Sequence, residues 1–205
     1  MLLERRKKKK NEKYLPKGVI RVLGIKGGVG KSAIAYSLAK IISLSSKVLF
    51  LDMDNLFTIS RLFNVKECEL SIVGNITMYA CKDISKVPFD DYEYIIIDTY
   101  PSILEGELPN INSGKVHNIF VTDYFSIEGT LEYARRWKGN NILIINMTNP
   151  DHEIERIQFK VASSLALKKD VTLRRIIIIP FDDEYYGSYR VDLPKIETVL
   201  GYIMT

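Results

Sequence analysis

Short apolar runs recur along the chain, and each closes on a polar or glycine-rich stretch. Residues 18–25 (GVIRVLGI), 47–54 (KVLFLDMD), 92–98 (YEYIIID), 117–123 (HNIFVTD), 140–146 (NNILIIN) and 174–180 (RRIIIIP) read as strands, with a weaker one at 75–80 (NITMYA). Between them the period changes from continuous to helical. Ile34, Leu38, Ile41 and Ile42 fall on one face of a helix predicted from about Lys31 to Ser45. A second helix is expected over SIEGTLEYARRWK. A third follows the start signals Asn149, Pro150, Asp151 and Glu153, with Ile154, Ile157, Val161 and Leu165 as its apolar stripe. Strands that are apolar along their whole length and separated by helices are covered on both faces. The expected fold is therefore an α/β domain whose mainly parallel sheet is flanked by helices.

Composition narrows this little. With 205 residues, 46% of them apolar, the chain can bury one sizeable core, and residues 18–205 read as a single domain. No apolar run approaches the length of a membrane span, and the basic start is not followed by the apolar block of a signal peptide. Cys68 and Cys81 have neither metal-ligand nor disulfide-framework spacing and are expected as free buried thiols, the usual state in a reducing cytosol. Charge is more telling. Residues 1–17 carry a net +6, whereas the remainder carries −2. Such a segment reads as a disordered basic tail, suited to the phosphates of nucleic acid or of anionic lipid, or simply to solvation. Arg135, Arg136, Lys138, Lys168, Lys169, Arg174 and Arg175 could add a DNA-tracking surface, or a solvated face.

The candidate chemistry lies in Lys26-Gly27-Gly28-Val29-Gly30-Lys31-Ser32, between the first strand and the first helix. Glycines there let the backbone turn tightly and aim N–H groups at phosphate oxygens, and the helix that follows adds its positive end. Lys31 can reach outer phosphates and the Ser32 hydroxyl can ligate Mg²⁺. The general phosphate-loop pattern wants its first glycine at the position of Ile25, but Gly24 is one residue out of step.

KGGVGKS with that departure resembles the deviant Walker A loop of the ParA/MinD family of P-loop ATPases, closest to its ParA-type DNA-partitioning members. The resemblance implies that Lys26 reaches across a nucleotide-sandwich homodimer to the partner's phosphates. VLFLDMDN is similar to the family's second motif, which implies that Asp54 orients the attacking water and that Asp52 sits in the magnesium shell. YEYIIIDTYPS looks like its Walker B strand and second switch, with Asp98 holding Mg²⁺ through water. By the same match the ATP site includes Gly27, Gly28, Val29, Gly30, Lys31, Ser32 and Ala33, with Asn146 and Pro180 at adenine. Three positions depart from the family pattern. Ala33 replaces a second hydroxyl, Asn55 replaces a proline after the second motif, and Tyr100 replaces a proline in the second switch.

What the resemblance implies is a slow, partner-stimulated ATPase, cytoplasmic and nucleoid-associated. It would dimerise on ATP, coat DNA without sequence preference, and release when a ParB-like centromere-binding or activating protein triggers hydrolysis. Two alternatives stay open. One is a MinD-like regulator on a membrane, using the C-terminal apolar face Ile196, Val199, Leu200 and Ile203. The other is a nucleotide-gated dimerisation module with little hydrolysis.

Overall fold

The computed structural model describes residues 15–85, 87–148, 154–168, 170–181 and 196–204. Its strands are β1 (Gly18–Leu23), β2 (Val48–Met53), β3 (Leu70–Val73), β4 (Ile76–Ala80), β5 (Tyr94–Thr99), β6 (Lys115–Thr122), β7 (Asn140–Thr148) and β8 (Arg175–Pro180). Its helices are α1 (Lys31–Ile42), α2 (Thr58–Leu62), α3 (Ile127–Ala134), α4 (Ile154–Leu167) and α5 (Ile196–Met204). The eight strands form one sheet in the order β3-β4-β2-β5-β1-β6-β7-β8. Every neighbouring pair is parallel except the β3–β4 hairpin.

Side chains alternate along each strand and divide the core in two. Ile20 and Val22 of β1, Phe50 of β2 and Ile96 of β5 pack with Ile34, Leu38 and Ile42 of α1. Val19 and Leu23, Leu49 and Leu51, and Ile95 and Ile97 face the other way, toward Leu131 of α3, Trp137, and Ile157 and Val161 of α4. Such two-sided burial is why these strands are apolar throughout. Because β1 lies at the centre, with β5 on one flank and β6 on the other, the chain order reverses beside it. A crevice at that reversal, outside the carboxyl ends of the strands, is where sheets of this kind hold ligands.

Several expectations need correction. The first helix ends at Ile42 and its predicted last residues, Ser43 to Ser45, form a turn. The period does not reveal α2 or β3, which are five and four residues long, too short for a periodic signal. Ile154 is exposed, so the stripe of α4 begins at Ile157. The start signals at Asn149 to Glu153 lie outside the described residues. Ile196 and Val199 of α5 are buried in the core beside α1, and Leu200 packs against it. The C-terminal apolar face that the membrane alternative required is thus largely consumed inside the fold.

The cysteines are also corrected: Cys68 and Cys81 form a disulfide, with their Cα atoms 4.8 Å apart. Pairing follows from the hairpin. Cys68 N–H donates to the Ala80 carbonyl at 2.9 Å, next to Cys81, so the β3–β4 fold-back delivers one thiol to the other. A sequence separation of 13 hid this, because spacing carries no information about a short edge hairpin. Cys81→Ser is expected to lower stability by about 2–3 kcal/mol, the scale for a loop of this length. Urea unfolding with and without reductant checks this: reductant should lower the wild-type midpoint and leave that of the variant in place.

Candidate functional site

The loop between β1 and α1 takes the conformation that its glycines allow. Gly28 has φ 76° and Gly30 φ 90°, both left-handed. Gly30 also caps α1, and a Cβ there would collide with the Asn146 side-chain nitrogen. Gly24, out of step for a phosphate contact, serves packing instead. A Cβ on it would meet the Val121 carbonyl at 2.8 Å, so β1 and β6 could not approach as they do. No side chain caps α1, which leaves its first N–H groups pointing from the crevice end of the helix.

Lys31, the first residue of α1, is only 6% exposed. Its ammonium donates to the Lys26 carbonyl at 3.1 Å, so it lies folded along the loop. Burial lowers its pKa, while the negative charges of Asp98 and Asp54 pull it back up. Lys26 turns the other way. Its Nζ pairs with Oδ2 of Asp123 at 2.7 Å, and Oδ1 of Asp123 accepts the Ser126 N–H at 2.8 Å just before α3. Burial would raise the Asp123 pKa, but the hydrogen bonds from Lys26 and Ser126 outweigh it and the group titrates below its ordinary value.

Asp52 and Asp98 are register partners on β2 and β5, both fully buried on the α1 side of the sheet. Their surroundings differ sharply. Asp52 accepts the Asp54 N–H at 3.3 Å through Oδ1 and the Ser60 N–H at 3.0 Å through Oδ2. It thereby anchors the turn that carries Asp54 and the start of α2. Burial raises its pKa and these bonds oppose the rise. Neither oxygen of Asp98 has a hydrogen-bond partner of standard geometry among the described residues. Burial pushes the Asp98 pKa up to about 8; the nearby Ser32 hydroxyl pulls against this, and the charges of Asp52 and Asp54 add to it. Two bare carboxylate oxygens beside a serine hydroxyl and a phosphate loop make a donor set that fits a hard divalent cation such as Mg²⁺.

Asp54 is half-buried at the crevice, and its Oδ2 accepts the Leu56 N–H at 3.3 Å. Asn146 on β7 donates its side-chain amide to the Val29 carbonyl at 2.9 Å, which ties the loop to the far half of the sheet. Pro180 ends the neighbouring β8, opposite Thr148. Ser32 and Ala33 are half-buried in the first turn of α1, and Ala33 packs against the core. The fold thus gathers Lys26 to Ala33, Asp52, Asp54, Asp98 and Asn146 at one end of the sheet. Pro180 sits at the same end, but on a strand separated from β1 by β6 and β7.

Sequence reasoning missed three contributors. Asp123 receives Lys26, and its position at a strand's carboxyl end was the available signal. Thr99 donates to the Val22 carbonyl at 2.7 Å. Ser102, at φ 60°, donates its N–H to the Gly24 carbonyl at 2.8 Å. The last two couple the end of β5 and the segment after it to the end of β1, at the base of the loop.

This geometry agrees with comparisons to known proteins. Residues 20–194 match the profile of the CobQ/CobB/MinD/ParA nucleotide-binding domain. Comparison with curated protein sequences returned no match. Among solved structures, a putative plasmid partition protein from Borrelia burgdorferi B31 bound to AMPPNP is similar, with TM-score 0.59 and 20% identity over 92% of this chain and 98% of that one. A ParA family ATPase from Chlorobium tepidum TLS gives TM-score 0.55 at 16% identity, covering 91% of this chain and 93% of that one. The MinD cell division protein of Aquifex aeolicus gives 0.60 at 19%, covering 92% and 98%. At these identities the structural likeness speaks for the fold, and the profile, spanning most of the sequence, for the family: the chain belongs to the CobQ/CobB/MinD/ParA family of nucleotide-binding domains.

Proposed function

We propose that this protein is a ParA-like ATPase whose ATP-bound form is a homodimer that binds DNA without sequence preference and hydrolyses ATP when a ParB-like partner stimulates it. The observation that carries this reading is the pairing of two lysines on one loop with opposite fates. Lys31 is buried along its own loop, whereas Lys26 is half-exposed and held by Asp123 alone among the described acids. A buried lysine serves the phosphates of its own chain. A half-exposed one, released from a surface carboxylate, can serve the phosphates of another and stabilise charge that develops there.

The remaining roles follow from placement. Gly27 to Ala33 would cradle the phosphates of ATP, with Asn146 and Pro180 toward the base. Ser32 and Asp98 would hold Mg²⁺, which supplies charge neutralisation on the phosphates. Asp52 fits a different role from the place in the magnesium shell that the resemblance implies. Both its oxygens are engaged by backbone N–H groups, so it positions the Asp54 turn. Asp54, half-exposed at the crevice, is the acceptor suited to orient a water.

Replacing Asp54 with alanine tests the reading. The variant should form the ATP dimer and stay on DNA, while steady-state turnover drops by roughly a hundredfold. Sedimentation with ATP and a phosphate-release assay measure both; a variant that remains monomeric with ATP would overturn the role given to Asp54. One observation favours the low-turnover alternative. Tyr100, where the family carries proline, donates to Glu107 at 2.6 Å and fastens the segment after β5 to the following turn. Turnover no higher than that of a Lys31→Ala control, with DNA and partner present, would establish that alternative.

A further inference from the structure

The parallel sheet has two unlike ends. At the carboxyl ends of its strands lie the loop and the acidic residues described above. At the opposite end, the foot of the sheet, the half formed by β1, β6, β7 and β8 is cationic. Lys115 opens β6 and is the register partner of Gly18, where β1 begins. Lys138 precedes β7 and its carbonyl accepts the Asn118 side-chain amide at 2.9 Å. Arg174 and Arg175 stand at the start of β8, and Arg174 N–H donates to the Asn141 carbonyl at 2.7 Å. Arg136 follows the C-terminal end of α3, which returns the chain to the same end. All five residues are exposed.

Partnered cations can be set aside. Arg135 and Lys168 both pair with Glu132, each at 3.2 Å, and Lys17 pairs with Glu93. No carboxylate among the described residues forms an ion pair with Arg136, Lys138 or Arg174. The field of this cluster reaches inward. Beneath it, His117 is buried, and its pKa is lowered first by burial and then by the charges of Lys115 and Arg174. The N-terminal segment enters here too. The Pro16 carbonyl accepts the Gly114 N–H at 3.0 Å and Lys17 N–H donates to the Glu93 carbonyl at 2.7 Å, so residues 16 and 17 join the fold next to the start of β6.

We infer that the foot of the sheet from β1 to β8, with Arg136, Lys138 and Arg174 as its principal contacts, is the surface that grips duplex DNA. The inference rests on the DNA-binding reading above. Two strand spacings, from β6 to β8, set Lys115, Lys138 and Arg174 in a row of about 10 Å, long enough to follow several phosphates of a duplex that carries one charge per about 1.7 Å of axis. A bilayer is the poorer match, because the helix best suited to lie in one, α5, turns Ile196 and Val199 into the core. The face also stands about 20 Å from the phosphate loop, the length of a six-residue strand. Two copies meeting at their loops would therefore carry their DNA surfaces on opposite sides, each dimer gripping two duplex segments.

The test uses the full chain with ATP and Mg²⁺ and measures anisotropy of a labelled random-sequence duplex against salt. Arg136→Glu, Lys138→Glu and Arg174→Glu combined should weaken binding by about a hundredfold at about 0.1 M salt and flatten the salt slope by about three. The glutamine triple should lose roughly tenfold. A Lys66→Glu control, away from the foot, should bind as wild type. Titration with a fluorescent ATP analogue reports whether the variants remain folded at the other end, and the milder triple carries the test if the charge reversals do not. Wild-type binding with both triples unchanged would overturn the assignment of this face and leave the DNA-binding reading standing. No duplex binding by the wild type would overturn both. Binding instead to phosphatidylserine vesicles, abolished by the same substitutions, would reassign the face to a membrane and overturn the inference.

Discussion

Alanine in place of Lys31 should weaken ATP binding by at least roughly a hundredfold, whereas alanine at Lys26 should leave it within a few fold. The cause is electrostatic. Three aspartates, Asp52, Asp54 and Asp98, converge on the crevice, and Lys31 is the buried cation whose charge both Asp98 and Asp54 favour. Without it, no buried cation among the described residues would stand between a polyanionic nucleotide and the aspartates of the crevice. Lys26 occupies no such position, because its ammonium already lies on Asp123 at the rim. Its loss should show instead in ATP-driven dimerisation, where the wild type becomes a dimer and Lys26→Ala stays a monomer. Titration with a fluorescent ATP analogue and light scattering on the same samples separate the two effects. If Lys26→Ala lost nucleotide binding as completely as Lys31→Ala, Lys26 would belong to the phosphates of its own chain, and the contribution in trans would be wrong.

The second large effect concerns Asp98 and runs in opposite directions for stability and chemistry. Its pKa stands at about 8 in the fold against 3.8 for the unperturbed group. The folded state therefore holds a proton that the unfolded state has released. That contribution to stability is complete below about pH 4 and declines as pH rises, until the group is ionised in both states above about 8. An asparagine side chain at this position would be neutral throughout, so Asp98→Asn should match the wild type near pH 4 and exceed it at about pH 9. The upper bound on the gain is about 6 kcal/mol. Urea unfolding in EDTA at the two pH values measures it, and a variant less stable than wild type at the higher pH would refute the account. The same substitution removes one of two bare oxygens suited to a divalent cation. Mg²⁺ should then no longer raise the melting temperature, and ATP turnover should fall to background.

Much of this site is legible in the residues because its parts are local or sit at strand ends. Lys26 to Ser32 is continuous in sequence, and its glycines report backbone angles directly. Asp52, Asp54 and Asp98 each close an apolar run, and parallel strands align their carboxyl ends by construction. What could not be read depends on neighbours brought together by the fold. Whether Asp52 or Asp98 has bare oxygens turns on which of them lies near the Ser60 N–H, eight residues from Asp52 across a helix start that has no periodic signal. The partner of Lys26 is 97 residues away. The pairing of Cys68 with Cys81 required knowing of β3, a strand too short to register. Gly24 was visible as a glycine, but its reason, the approach of Val121, belongs to β6.

The β3–β4 hairpin bears on how the protein behaves at high concentration. It places β3 at the sheet's margin, where the outer row of N–H and C=O groups has no strand beside it among the described residues. Leu70 is 45% exposed on this strand and Ile72 80%. An open edge flanked by apolar side chains is the template by which strands of different molecules add to one another and aggregate. Here the row is four residues long, and the Cys68–Cys81 bond fastens the hairpin at its base. A strand so short offers an incoming chain few ladder bonds, and one tethered at its root cannot peel away to expose β4, whose Met78 and Tyr79 are core residues. The disulfide thus guards colloidal behaviour as well as folding stability.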